Sequence, residues 1–252
     1  MSALVQPVQS AGERSIHGSA GSPYALTALS PAHCLGASSP PLAMRARFER
    51  LSGNPRARLQ RKLPNLVLGD HSADGLTIES VCAVKSPTRV IFHFHGGVFF
   101  MGSPASYHKQ AMRLSYRFDA KVFVPAYRLA SEHPYPVTLD DALAAGRFVS
   151  DPRKDVAIFV AGDSAGGGLS LSRLVKLRDL RQNIPKAALL LSPWADLTVS
   201  GRSVEGNRRK DRSFTASTWS KGLATRSVVQ TPDCRISRPS LRIFKDYHPS
   251  CF

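Results

Sequence analysis

Between Thr77 and Trp194 the chain alternates short apolar runs with longer amphipathic ones. TIESVCAV, from Thr77, is β-like. RVIFHF, Arg89 to Phe94, is a short apolar run suited to a buried strand. KVFVPAY, from Lys121, predicts a strand that ends at a proline. VAIFVAGDS predicts a strand running into a sharp turn, and KAALLLSPW, Lys186 to Trp194, a further buried strand. Helices are predicted between them over Ser106 to Phe118, Thr138 to Val149 and Ala165 to Leu180. In the second of these, Leu139, Ala142, Leu143, Gly146 and Phe148 supply an apolar face, and Asp140 and Asp141 suit the positive end of its dipole. Strands alternating with helices predict an α/β fold, a mostly parallel sheet covered on both faces. No internal repeat is visible.

The pattern changes toward the N-terminus. Residues 1–43 are rich in Ser, Ala, Gly and Pro without a sustained period, and are expected to be disordered or translated upstream sequence. Met44 is a candidate ancestral start. MRARFERLSGNPRARLQRKLP carries apolar residues at loose helical spacing and breaks at Pro64, which predicts a short basic helical segment. The expected organisation is a basic N-terminal cap over 44–75 and an α/β core over 76–239.

Composition narrows the class. At 252 residues, 42% hydrophobic and 21% charged, the chain suits one large α/β domain. No apolar run is long enough to span a bilayer, and no basic start followed by an apolar core marks a secretory signal, so a cytoplasmic location is expected. Cys34, Cys82, Cys234 and Cys251 form no C-x-x-C pair and no zinc-like Cys/His spacing. They read as free thiols in a reducing compartment, with no metal. The formal charge of +16 raises a nucleic-acid or anionic-surface reading. The cations cluster over Arg45, Arg47, Arg50, Arg56, Arg58, Arg61 and Lys62, and over Arg202, Arg208, Arg209, Lys210 and Arg212. Neither cluster carries a nucleic-acid motif or interleaved aromatics, and a solvated basic face is the plainer reading.

The chemistry centres on Gly162-Asp163-Ser164-Ala165-Gly166, a G-x-S-x-G turn between a strand and a helix. Such a turn lifts the serine hydroxyl clear of the sheet. It strains the serine backbone, and glycines two before and two after relieve the crowding. The helix N-terminus behind Ser164 adds positive potential where an oxyanion forms. His95-Gly96-Gly97-Val98 follows the RVIFHF strand directly. Bare glycine N–H groups there suit an oxyanion hole: Gly96, Gly97 and Ala165 are the expected donors, with His95 ordering the loop rather than moving protons. Asp163 reads as a turn residue.

These residues lie in four blocks: HFHGGVFFMGSPASYH, PAYRLASEHPYPVTLDDALAA, VAGDSAGGGLSLS and LLLSPWADLT. In order and spacing they resemble the hormone-sensitive-lipase-like esterases, over about Arg89 to Thr198. The resemblance implies an α/β-hydrolase fold with a small helical N-terminal cap, and hydrolysis of carboxylic esters, often of short acyl chains. It implies Ser164 as nucleophile, a His as base, an Asp or Glu holding that His, and no metal or organic cofactor. Val98 stands where the family often has a third glycine, and Ser131 where it usually has proline. Tyr127, Pro134 and Trp194 match the family pattern and are assigned packing roles.

In this fold the acid and the histidine follow the nucleophile. His93, His108 and His133 precede it and read as structural. After Ser164 only His248 remains, with Asp196, Asp211 and Asp233 before it, and no two further strand–helix units are legible. DCRISRP resembles the family's D-P-R-x-S-P-L, after which the family continues with a segment like LFADLxGLPPLLI. Codons permitted for Pro239 to Phe252, read from their third bases, can spell LFADFQGLPPFLF. The expectation is therefore an esterase frameshifted near Ser237 to Pro239, with 240–252 an out-of-frame tail and activity impaired. The strand Ala187 to Leu191 is then expected to be an unprotected, aggregation-prone edge. A non-catalytic small-molecule-binding relative is the alternative.

Overall fold

One of the short apolar runs, RVIFHF, becomes the middle of the sheet. In the computed structural model, which describes residues 41–130, 132–149, 156–197, 201–207 and 210, β3 (Arg89–Phe94) lies between two parallel neighbours. These are β4 (Ala120–Pro125) and β5 (Ala157–Asp163). The sheet order is β1-β2-β4-β3-β5-β6, with β1 (Val67–Ala73) and β2 (Leu76–Cys82) antiparallel at one side and β6 (Ala188–Leu191) parallel at the other. The expectations for residues 1–40 and for the tail, His248 included, lie outside the described residues.

Apart from Arg89 and His93, β3 is apolar because both faces are covered. Val90, Phe92 and Phe94 enter one core with Ile78, Phe123 and Val160, against α4 (Val137–Val149) and α5 (Ser164–Asp179). Ile91 points the other way, into a second core with Val81, Val122, Val124 and residues Ala111 and Leu114 of α3 (Pro104–Phe118). Strands buried on both faces lose the period-two alternation and read as continuous runs. Arg173 of α5 is buried between the helices: its Nε donates to the Ala142 carbonyl of α4, and its guanidinium lies 5.8 Å from the Phe92 ring.

Helix α3 starts where its sequence says it should. Ser103 caps it, accepting from the Ser106 N–H while the Ser106 hydroxyl completes the box, and Pro104 occupies the first turn. The mostly parallel sheet and the central helices agree with expectation to within a few residues.

Three features differ. The N-terminal segment forms two helices, α1 (Pro41–Ser52) and α2 (Arg56–Lys62), so the helix begins three residues before Met44. The same segment also contains β1, which pairs with β2 through the turn Asp74–Gly75, both residues at positive φ (51° and 77°). That is the backbone of a tight two-residue hairpin, for which Asp-Gly is a favoured pair. Finally, β6 is short and is not the buried strand that its apolar run predicts, while its position at the end of the sheet order agrees with the expected edge. Among the described residues only β5 pairs with it, and Leu189 and Leu191 are 39% and 42% exposed. A last short helix, α6, covers Arg202–Gly206.

Phe92 is fully buried at the centre of the sheet. Phe92→Ala is expected to lower stability by about 3–5 kcal/mol, read from urea or thermal unfolding.

Candidate active site

β5 ends at Asp163 and α5 begins at Ser164, with no residue between them. The chain makes this turn by placing Ser164 at φ +49°, a left-handed conformation that a serine adopts only under constraint. The constraint is a close approach. A side chain on Gly166 would overlap the carbonyl oxygens of Phe94 and His95, at the end of β3. The Ser164 carbonyl in turn accepts the Trp194 N–H at 2.8 Å, so the segment after β6 holds the turn from its other side.

The loop leaving β3 is strained as well. Gly97 has φ +126°, and Val98 and Phe99 follow at +56° and +64°. A β-branched residue at positive φ is an outlier, and each such non-glycine position costs about 1–3 kcal/mol. The N–H groups of Phe100 and Met101 both close onto the Gly97 carbonyl, at 3.1 and 3.0 Å. Val98, Phe99 and Phe100 are buried in the larger core.

A buried polar cluster joins the loop to the elbow. Asp163 Oδ1 accepts the Gly96 N–H at 3.1 Å. The Tyr107 hydroxyl also accepts from Gly96, at 3.0 Å, and donates to Asp163 Oδ2 at 2.9 Å. His93 Nε2 lies 3.6 Å from Asp163 Oδ1 and 3.3 Å from the Gln110 amide nitrogen. Burial pushes the Asp163 carboxyl above its usual range, while the bonds from Tyr107 and Gly96 pull the other way. Burial, and then the Asp163 charge, push the Tyr107 phenol well up.

His95 is fixed on the opposite side of the loop. Its Nδ1–H donates to the Gly96 carbonyl at 2.8 Å; a carbonyl only accepts, so the proton sits on Nδ1. The Tyr127 ring stacks on it at 4.2 Å and the Tyr127 hydroxyl donates to the His95 carbonyl at 2.7 Å. Burial lowers the pKa of His95 to about 4 and that of His93 to about 3, so both are neutral at neutral pH.

The fold therefore brings together the residues expected to act together: Ser164 and Ala165 at the helix start, His95, Gly96 and Gly97 on the adjoining loop. One expected role changes. The Gly96 N–H is spent on Tyr107 and Asp163, so it is not free to meet an oxyanion. The N–H groups of Gly97 and Val98 have no protein acceptor among the described residues. Asp163, Tyr107 and Tyr127 were not foreseen as parts of the site. Asp163 sits inside the G-x-S-x-G motif, but Tyr107 and Tyr127 come from distant elements and only the fold brings them close. His108 is away from this site, bonded to Glu79 of β2. No hydrogen bond joins Ser164 to a histidine among the described residues, and Asp211, Asp233 and His248 lie outside them. Among the described residues no group of three or more His, Cys, Asp or Glu side chains is placed to hold a metal ion.

Two measurements test this geometry. Gly166→Ala should push α5 away from β3 and destabilise the fold by more than 1 kcal/mol, roughly the range of a large steric strain, as read from the urea midpoint. The pH dependence follows from His93 and His95. Unfolded, each binds a proton below about pH 6.5, whereas folded they resist protonation down to about 3 and about 4. Stability is therefore full above pH 6.5 and is lost as pH falls through that window, by roughly 2 kcal/mol per histidine at pH 5. Denaturant unfolding at pH 7 and pH 5 should show the loss, and His93→Gln should shrink it.

Comparison with known proteins agrees with the fold. A model of the alpha/beta hydrolase fold family matches residues 91–245. An esterase of Acinetobacter venetianus is 32% identical over 168 residues, 65% of this chain and 55% of the relative. An acetyl-hydrolase of Streptomyces hygroscopicus is 37% identical over 128 residues, 50% of this chain and 43% of the relative. The chain thus spans about half the length of these curated relatives. A crystal structure of EstE5 superposes with a TM-score of 0.71 at 28% identity, covering 81% of this chain and 67% of that one. A hormone-sensitive lipase from a metagenome library gives 0.70 at 26% identity, covering 84% and 70%. With the match extending over more than half of its length, the chain belongs to the alpha/beta hydrolase fold family, in its hormone-sensitive-lipase-like group.

Proposed function

We propose that this protein hydrolyses carboxylic esters by acyl transfer through Ser164. The observation that carries the reading is the strained Ser164, set at the head of α5 and locked against a glycine loop with unbonded N–H groups. Ser164 Oγ attacks the ester carbonyl. The developing oxyanion takes hydrogen bonds from the N–H groups of Gly97, Val98 and Ala165. Such donors act on charge that exists only in the transition state, and losing one typically costs about 2.7–4 kcal/mol. Gly96 anchors the loop to Asp163 and Tyr107 instead of donating. His95, neutral and hydrogen-bonded through Nδ1, orders the loop and takes no part in proton transfer.

The chemistry also requires a histidine to take the serine proton and return it to the leaving alcohol, with a carboxylate to hold that histidine. Water then releases the acyl group. Serine acyl transfer draws on no metal or organic cofactor. The proposed substrate is a small-molecule ester with a short acyl group, in keeping with the acetyl-hydrolase among the relatives. No helix among the described residues is long and apolar enough to cross a membrane. A cytoplasmic location completes the reading, and the unpaired Cys82 thiol accords with it. No nucleic-acid partner is proposed.

The test is hydrolysis of p-nitrophenyl acetate and butyrate by the full chain and by Ser164→Ala. Activity is expected to be impaired, as the C-terminal tail implies, so slow turnover by the wild type that is lost in the variant is the expected result. Turnover that survives in Ser164→Ala, or a wild type no faster than buffer, would overturn the reading.

A further inference from the structure

We propose that Arg45, on the N-terminal helix α1, is a positioning residue for the reaction at Ser164. It staples the joint between the glycine loop and the loop after β4, and so holds Val98 and Phe99 in the left-handed backbone that presents the oxyanion-binding N–H groups. This rests on the reading of Ser164 given above.

Arg45 belongs by sequence to a run of basic residues, yet its environment differs from theirs. Arg47, Arg50, Arg58, Arg61 and Lys62 are exposed, whereas the Arg45 side chain is 24% exposed and fully engaged. Its Nε donates to the Phe100 carbonyl at 2.8 Å, and its Nη2 to the Ala130 carbonyl at 2.8 Å. The outer edge of the guanidinium pairs with both carboxylate oxygens of Glu132, at 2.7 and 2.9 Å. These partners lie on two separate loops, and the Ala130 N–H already reaches the Phe99 carbonyl at 2.9 Å. Arg45 therefore grips the junction from both sides. Only a planar fork with donors in several directions makes all of these bonds; a lysine ammonium does not reproduce them.

The rest of α1 reinforces the contact. Met44 is buried in the core that holds Val98, Phe99 and Phe100, and Phe48 packs against that core. One turn along, Glu49 accepts the Ser103 hydroxyl at 2.8 Å, at the far end of the same loop. The loop needs this support because two successive residues with side chains sit at φ +56° and +64°. Strained backbone of this kind persists only where its surroundings over-determine it. Released, Val98 relaxes toward negative φ, and its N–H turns away from the reacting carbonyl.

The experiment compares the full-length wild type, Arg45→Ala, Arg45→Lys, and Arg45→Glu combined with Glu132→Arg. Amide hydrogen exchange is read at Phe100, Met101 and Ala130, with β3 and α5 as internal controls for folding. Steady-state kinetics use p-nitrophenyl butyrate. Arg45→Ala is expected to speed exchange at the three amides while the controls stay protected. It should lower kcat about tenfold or more with KM changed less than twofold, since small displacements of a catalytic group carry penalties of that order. Arg45→Lys should recover only part of the loss. The charge swap restores the ion pair but not the bonds to Phe100 and Ala130, and should stay as impaired as Arg45→Ala. Unchanged exchange and kcat in Arg45→Ala, or full recovery by the swap, would refute the staple. Should the controls in Arg45→Ala also lose protection, Arg45→Lys carries the same comparison. Should the wild type show no Ser164-dependent turnover, it is the ester-hydrolase reading that fails, and the exchange data alone decide whether Arg45 orders the loop.

Discussion

The contact between Gly166 and the carbonyls of Phe94 and His95 is the constraint on which the site depends. It brings the first turn of α5 against the end of β3, closer than any side chain permits. Three consequences follow. Ser164 must turn left-handed to enter the helix, the loop leaving β3 begins beside the helix N-terminus, and Asp163 comes within reach of the Gly96 N–H. The elbow and the glycine loop are thus one structural unit made from two chain segments. The sheet supplies their relative position, because β3 and β5 are hydrogen-bonded in parallel register up to Phe94 opposite Gly162.

Asp163 gives this unit its electrostatic character. A largely buried carboxylate is costly, and here the cost is offset by one phenol and one backbone N–H rather than by a cation. His93, the nearest basic group, is too deeply buried to carry charge at neutral pH. Asp163 is therefore held by hydrogen-bond donors rather than by a charged histidine. Gly96 is fixed by being bonded to it, and that bond sets the direction of the next peptide units. The cluster thus uses the Gly96 N–H as an anchor, while those of Gly97 and Val98 have no protein acceptor among the described residues.

The parts of the molecule that were legible in the sequence are those set by local rules. RVIFHF gave strand boundaries that agree to the residue, because a strand covered on both faces shows as a nearly continuous apolar run, here interrupted only by His93. Ser164, Gly96 and Gly97 were legible because a strand–turn–helix elbow and a glycine loop need particular residues at particular spacings. What escaped notice depends on partners far away in the chain. β1, VLGDHSA, carries no apolar alternation, although its Asp-Gly turn was a usable signal. Tyr107 reads as an ordinary aromatic position and Tyr127 as a packing residue; their hydroxyls matter because α3 and the loop after β4 fold back onto His95 and Asp163. Arg45 was hidden by company, one basic residue among several, and only its carbonyl partners separate it from the solvated ones.

Val98 connects these observations. This chain has a β-branched residue here, yet the backbone is left-handed. Glycine would adopt that conformation at little cost; valine must be held in it. The extra holding is visible as hydrogen bonds and packing: Ala130 to Phe99, Arg45 to Phe100 and Ala130, Glu49 to Ser103, and the burial of Val98 itself beside Met101 and Phe100. A strained β-branched position is thereby matched by contacts from helix α1, more than forty residues away in the chain. The strain and its restraint belong together, and neither is interpretable from Val98 or Arg45 alone.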